Sequence, residues 1–163
     1  MNVDLVFEDG RWKKTLLGEV SRTVFKETLN FFGQNASDFS IDILACNDGR
    51  ISELNKEFRG NNSATNVLSW PSKNFQSKFV KGNTDSILNK EDGFLGDIAI
   101  SYDTCVKEAK ERAIDFVDHI SHLMIHSILH LMGYDHILEV EEEKMKKIEI
   151  EILGKMGIDS PYI

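Results

Sequence analysis

The spacing of apolar residues switches repeatedly between two and about four along this chain, which restricts it to a layered mixture of strands and helices. Val3, Leu5 and Phe7 alternate as a strand does. Trp12, Leu16, Val20 and Val24 then recur every four residues and continue to Leu29 and Phe32, one apolar helix face that Gly33 ends. Phe39, Ile41, Ile43 and Ala45 alternate again, after which Asn47 or Asp48 can cap a short helix carrying Ile51, Leu54 and Phe58. Val67 to Trp70 reads as a short strand stopped by Pro71. Phe94 to Ile100 reads as another, in which Gly96 implies a bulge or a close backbone approach. From about Asp103 to Met132 the pattern is helical, as two helices because the apolar phase slips between Ala113 and Asp115. A last helix over about 140–156 turns Met145, Ile148, Ile152 and Leu153 inward. The expectation is an α+β (or α/β) fold, with a small mixed sheet of about four strands packed with about five helices.

At 163 residues the chain can bury a core as one domain spanning 1–163, without disulfides. Cys46 and Cys105 fall in an expected strand and helix with no disulfide-rich pattern, so buried free thiols are expected. The start, MNVDLVFEDG, lacks the basic region and apolar run of a signal peptide, and no later run approaches membrane-spanning length. A cytoplasmic protein without a membrane partner is expected. The net charge of -8 argues against a broad basic surface for nucleic acid. A local one survives between Arg50 and Lys81, where Arg50, Lys56, Arg59, Lys73, Lys78 and Lys81 face only Glu53 and Glu57. Residues 72–93 form a long polar connection, the kind that serves as a functional or a mobile loop.

All five histidines lie between positions 119 and 136. His126 and His130 are one helical turn apart and can aim two imidazoles at one ion, with His122 a turn earlier. A third ligand must come from beyond the helix end. Gly133 can terminate the helix in the left-handed region, letting Tyr134 and Asp135 fold back and deliver His136, and metal placement at this helix end follows. The pattern H-x-x-x-H-x-x-G-x-x-H is the ligand spacing of metzincin-type zinc sites. Three nitrogens leave an open position, as catalytic zinc sites do, although nickel, copper and iron also suit imidazole. His119 reads as a packed histidine. His122 lines the site, binds substrate or packs, and Asp135 either orients an imidazole or forms the turn.

Ser127 occupies the place where metzincins carry the glutamate that acts as general base. The motif therefore gives no support to peptide hydrolysis, although a carboxylate such as Asp97 could arrive from elsewhere. Phosphodiester cleavage asks instead for a cation, and a guanidinium can stabilise charge on phosphate oxygens through fork-shaped hydrogen bonds.

The run from His122 through His126, His130 and Gly133 to His136 resembles the signature of the YbeY family of bacterial endoribonucleases and rRNA maturation factors. Leu54-Asn55 with Phe58-Arg59, the run Thr65 to Pro71, and Gly96-Asp97-Ile98 agree in order, so the resemblance covers nearly the whole chain. It implies one zinc held by His126, His130 and His136, and a functional arginine at Arg59. It also implies single-strand-specific RNA cleavage, rRNA maturation including the 3′ end of 16S rRNA, and a part in ribosome quality control. Two positions depart from the family: Ser127 replaces a glycine, and Asn66 replaces the aspartate of a TDVLSF-like motif. Asn66 and Ser69 remain candidates for substrate binding or for orienting a ligand, while turn and strand-end hydrogen bonding accounts equally for Thr65, Ser69 and Asp97. A second reading is a ribosome-assembly factor that binds rRNA or a ribosomal protein and uses its metal to hold the fold. A zinc peptidase with a displaced base is the third.

Overall fold

A computed structural model describes residues 2–72, 93–134 and 138–162. Its sheet contains β1 (Val3–Phe7), β2 (Ser40–Cys46), β3 (Val67–Pro71) and β4 (Phe94–Ser101) in the order β1-β2-β4-β3. The first three in that order are parallel, and β3 joins β4 antiparallel as an edge strand among the described residues. Parallel neighbours require crossovers, which α1 (Leu17–Phe31) and α2 (Asp48–Arg59) supply. The helices α3 (Tyr102–Glu111), α4 (Phe116–Leu131) and α5 (Glu139–Lys155) complete an α+β fold with a mixed sheet, as the periodicities predict.

Period-two alternation divides the strand residues between two cores. Val3, Ile41, Ile43, Ala45, Ile98 and Ile100 pack with α1, α4 and α5, whereas Cys46, Leu68 and Ala99 pack beneath Ile51 and Leu54 of α2. The helix α4 is buried on almost every side, with Ile120 through Ile125 and Ser127 through Leu129 all inside. That explains how two of its histidines come to stand among apolar neighbours. Its boundary with α3 falls where the apolar phase slips, at Ala113, which holds a left-handed φ of 52°.

The first helix differs from its sequence expectation. Trp12 belongs to a separate 3-10 turn, Gly10–Lys14, and its indole N–H donates to the Cys46 carbonyl at 2.9 Å, while Leu16 is half exposed ahead of α1. A period of four in apolar residues does not distinguish one helix from a turn followed by a helix. Phe58 also lies outward, edge-on to the Trp70 ring at 5.5 Å. Asn47, rather than Asp48, caps α2 by accepting from the Arg50 amide at 2.8 Å. Gly96 does mark an irregularity: Ser40 pairs with Phe94 and Ile41 with Gly96, leaving Leu95 as an extra residue. Cys46 and Cys105 are free and buried, and burial pushes the Cys46 thiol up to about 12. Among the described residues no helix is long and apolar enough to cross a membrane.

Candidate functional site

Between the outer edge of β3 and the helix α4 runs a cleft of about 750 Å³. His122, His126 and His130 line one wall, and Val67, Ser69 and Pro71 line the other, with Arg59 above them. Strand and helix run in the same direction here. Asn66, at the start of β3, reaches Glu108, which contacts His119 near the start of α4, whereas Gly96, paired with Pro71, abuts Leu131 at its end. The histidine ladder thus lies alongside the strand over its whole length, about 17 Å at ~3.3 Å per residue.

Helical spacing alone brings His126 and His130 together, with their Nε2 atoms 3.0 Å apart. Their other nitrogens are committed. His126 Nδ1 lies 2.8 Å from Glu149 Oε2, and His130 Nδ1 lies 2.8 Å from the Tyr134 carbonyl oxygen. A carbonyl and a carboxylate only accept hydrogen bonds, so each Nδ1 carries its ring's hydrogen and each Nε2 presents a lone pair. In neutral rings this brings two lone pairs together, an arrangement that a metal ion between them would satisfy. Imidazole nitrogens placed this way suit zinc, as they do nickel, copper and iron.

The chain reversal after α4 is equally specific. Gly133 N–H donates to the His130 carbonyl and Tyr134 N–H to that of Leu129, the paired bonds of a glycine-terminated helix end, with Gly133 at φ 96°. The Tyr134 ring is buried and stacks on Phe32 at 5.8 Å, so its carbonyl is held where His130 uses it. His136 and Asp135 lie outside the described residues, as do Lys73, Lys78 and Lys81. Among the described residues, two imidazoles converge and no group of three candidate ligands does.

Arg59, on the last turn of α2, donates from Nη2 to the Ser69 carbonyl oxygen at 2.7 Å. One of its five N–H donors is thereby anchored to β3 while the guanidinium lines the cleft. Ser69 thus contributes through its backbone. Asn66 also borders the cleft, but its amide group donates to both oxygens of Glu108 at 3.0 and 3.3 Å, and its carbonyl oxygen accepts from the Val67 amide at 2.6 Å. An aspartate there would set two carboxylates against each other, so asparagine matches this chain's Glu108. Asp97 faces away from the cleft, on the α2 side of the sheet beside Asp42 and Trp70. Ser127 is fully buried and lines no part of the cleft.

The family profile described as Endoribonuclease YbeY matches residues 7–157. The chain belongs to the YbeY endoribonuclease family. An Endoribonuclease YbeY from Paracoccus denitrificans is 42% identical over 161 residues, covering 99% of this chain and 90% of that protein. Another, from Ruegeria sp. (strain TM1040), is 42% identical over 165 residues, covering 100% and 97%. The fold also matches the solution structure of TM1509 from Thermotoga maritima at a TM-score of 0.58 and 23% identity, over 95% of this chain and 91% of that one. Membership in the YbeY family places the chain among RNA-cleaving hydrolases.

Glu149, buried behind the histidines, and Arg112 and Tyr162, which line this YbeY-family cleft, escaped the sequence reading. Glu149 is fully buried on α5 and accepts from His122 Nε2 at 2.7 Å, from His126 Nδ1 at 2.8 Å and from the Tyr162 hydroxyl at 2.5 Å. Burial alone would raise its pKa, but the hydrogen bonds from His122, His126 and Tyr162 outweigh it and hold the carboxyl well below the usual carboxylate range. Tyr162, near the C-terminal end, closes the cleft beside His122, and burial together with Glu149 pushes its hydroxyl pKa up. A signal for Glu149 existed. It follows Met145 by four residues on the apolar face of α5, where a carboxylate must find buried donors.

Proposed function

We propose that this chain is a zinc-dependent, single-strand-specific endoribonuclease acting in rRNA maturation, including the 3′ end of 16S rRNA, and in ribosome quality control. The observation that carries the metal assignment is the convergence of the Nε2 atoms of His126 and His130, 3.0 Å apart, with both Nδ1 atoms already committed. His136 supplies the third ligand in this reading, from the spacing of the motif. When bound, the zinc supplies Lewis-acid stabilisation of charge developing on phosphate oxygens. Arg59 faces the same cleft and directs its remaining donors at the scissile phosphate, with the Ser69 carbonyl fixing its approach. The open trough between an edge strand and a helix suits an unpaired strand better than a duplex. Cytoplasmic rRNA, alone or within ribosomal particles, is the substrate this reading implies.

The test is cleavage of single-stranded rRNA fragments by metal-replete protein and by Arg59→Ala. Loss of one charge-stabilising donor group should lower kcat by about 10²- to 10³-fold while RNA binding and Tm are kept. Equal cleavage by the variant overturns the role of Arg59. Elemental analysis should find about one zinc per chain, and a His130→Ala variant should lose it. Products ending in a 2′,3′-cyclic phosphate would identify the RNA 2′-hydroxyl as nucleophile, and non-cyclic phosphate ends would identify water.

A further inference from the structure

Glu149 makes contacts that a structural carboxylate does not require. Its two oxygens serve two histidines of one helix face in opposite senses. Oε2 takes the Nδ1 hydrogen of His126, whereas Oε1 takes the Nε2 hydrogen of His122 and the Tyr162 hydroxyl. The two rings, four residues apart and 6.3 Å between centroids, are therefore locked in opposite tautomers by a single side chain. The consequence differs for each. His126 turns its Nε2 toward His130, while the Nδ1 of His122 is buried without a partner among the described residues.

We propose that Glu149 is the positioning residue of the metal centre, holding His126 in the tautomer that can bind a metal and keeping His122 out of the ligand set. This rests on the zinc reading above. Without Glu149, His126 is free to carry its hydrogen on Nε2, where it excludes a metal. His122 is equally free to expose Nε2 as a competing ligand one turn away. A glutamine of the same size cannot replace it, since the amide offers one acceptor where two ring hydrogens point.

The experiment combines zinc competition against a chromogenic chelator with nitrogen-15 NMR of the histidine rings in metal-free protein, for the wild type and Glu149→Gln. The wild type should show His126 protonated on Nδ1 and His122 on Nε2. The variant should show mixed tautomers and bind zinc about 10- to 100-fold more weakly. A folded variant with unchanged zinc affinity overturns the proposal, including the case in which only its Tm falls, because that is the result of a merely structural buried group. Should Glu149→Gln not fold, Glu149→Asp carries the same prediction, keeping the charge while shortening the reach to both rings. Wild-type protein that binds no zinc overturns the metal reading itself. The tautomers then decide separately whether Glu149 holds the two histidines: mixed in the variant if it does, unchanged if it does not.

Discussion

Gly96 holds φ at 144°, a conformation side chains avoid, and a Cβ there would run into the Trp70 carbonyl and come within 2.9 Å of Leu131 Cδ2. The contact joins β3, β4 and the end of α4, so the glycine sets how closely the histidine helix approaches the strand across from it. Gly96→Ala should cost about 1–3 kcal/mol from backbone strain alone, read as a Tm lowered by several degrees in thermal unfolding. An unchanged Tm would show that the strand pair can shift without cost. At this scale the sequence was legible where one residue type has one use. Glycine marked the close approach, and His126 and His130 marked the paired imidazoles. It was least legible where a side chain acts through distant partners. Glu149 meets His122 and His126 across 27 and 23 residues of chain, and no local spacing encodes that.

The helix α4 carries the site because its two ends do different work. Asp115 opens it by accepting from the Asp118 amide, and Gly133 closes it, returning the Tyr134 carbonyl to His130 Nδ1. Closing with any residue that resists φ 96° should loosen both the helix end and the ring it orients. Gly133→Ala is expected to cost about 1 kcal/mol and to weaken zinc binding together with stability. A melt combined with zinc competition checks this, and a variant that loses stability but keeps full zinc affinity would separate the helix end from the site. The break at Ala113 between α3 and α4 was visible as a phase slip. The separation of Trp12 from α1 was not, since a period of four in apolar residues fits a turn followed by a helix as well as one helix.

Across the whole molecule the sheet is covered unequally. Among the described residues helices bury one face, while α2 shields only part of the other, and Asp4, Asp42 and Asp97 are exposed in register across β1, β2 and β4. Burial, followed by repulsion from Asp42, raises the Asp97 pKa above 3.8, and the same two causes, with Asp4 as neighbour, raise that of Asp42. A carboxyl raised on folding favours the folded state in its protonated form. Its contribution is therefore present below 3.8 and is lost as pH rises through the raised folded value. Asp97→Asn should accordingly raise Tm near pH ~7, with the gain vanishing by about pH 3. A gain that persists in acid would point to packing instead of charge. The strain of like charges here lies on the opposite side of the sheet from the histidine cleft, so the variant should leave metal binding unchanged.

Periodicity determined the strands and helices, and the H-x-x-x-H-x-x-G spacing determined that two imidazoles share a helix face beside a glycine-ended turn, because both depend only on geometry within a few residues. Tertiary structure alone decided what stands opposite them. It set the outer edge of β3 across from α4, brought Arg59 to the Ser69 carbonyl, and turned Asp97 away from the cleft. It also buried Glu149 beneath His122 and His126, and with it the choice of which ring nitrogen carries the hydrogen. The physical reason is that a tautomer answers to its hydrogen-bond partner, and that partner is chosen by how α5 packs on α4.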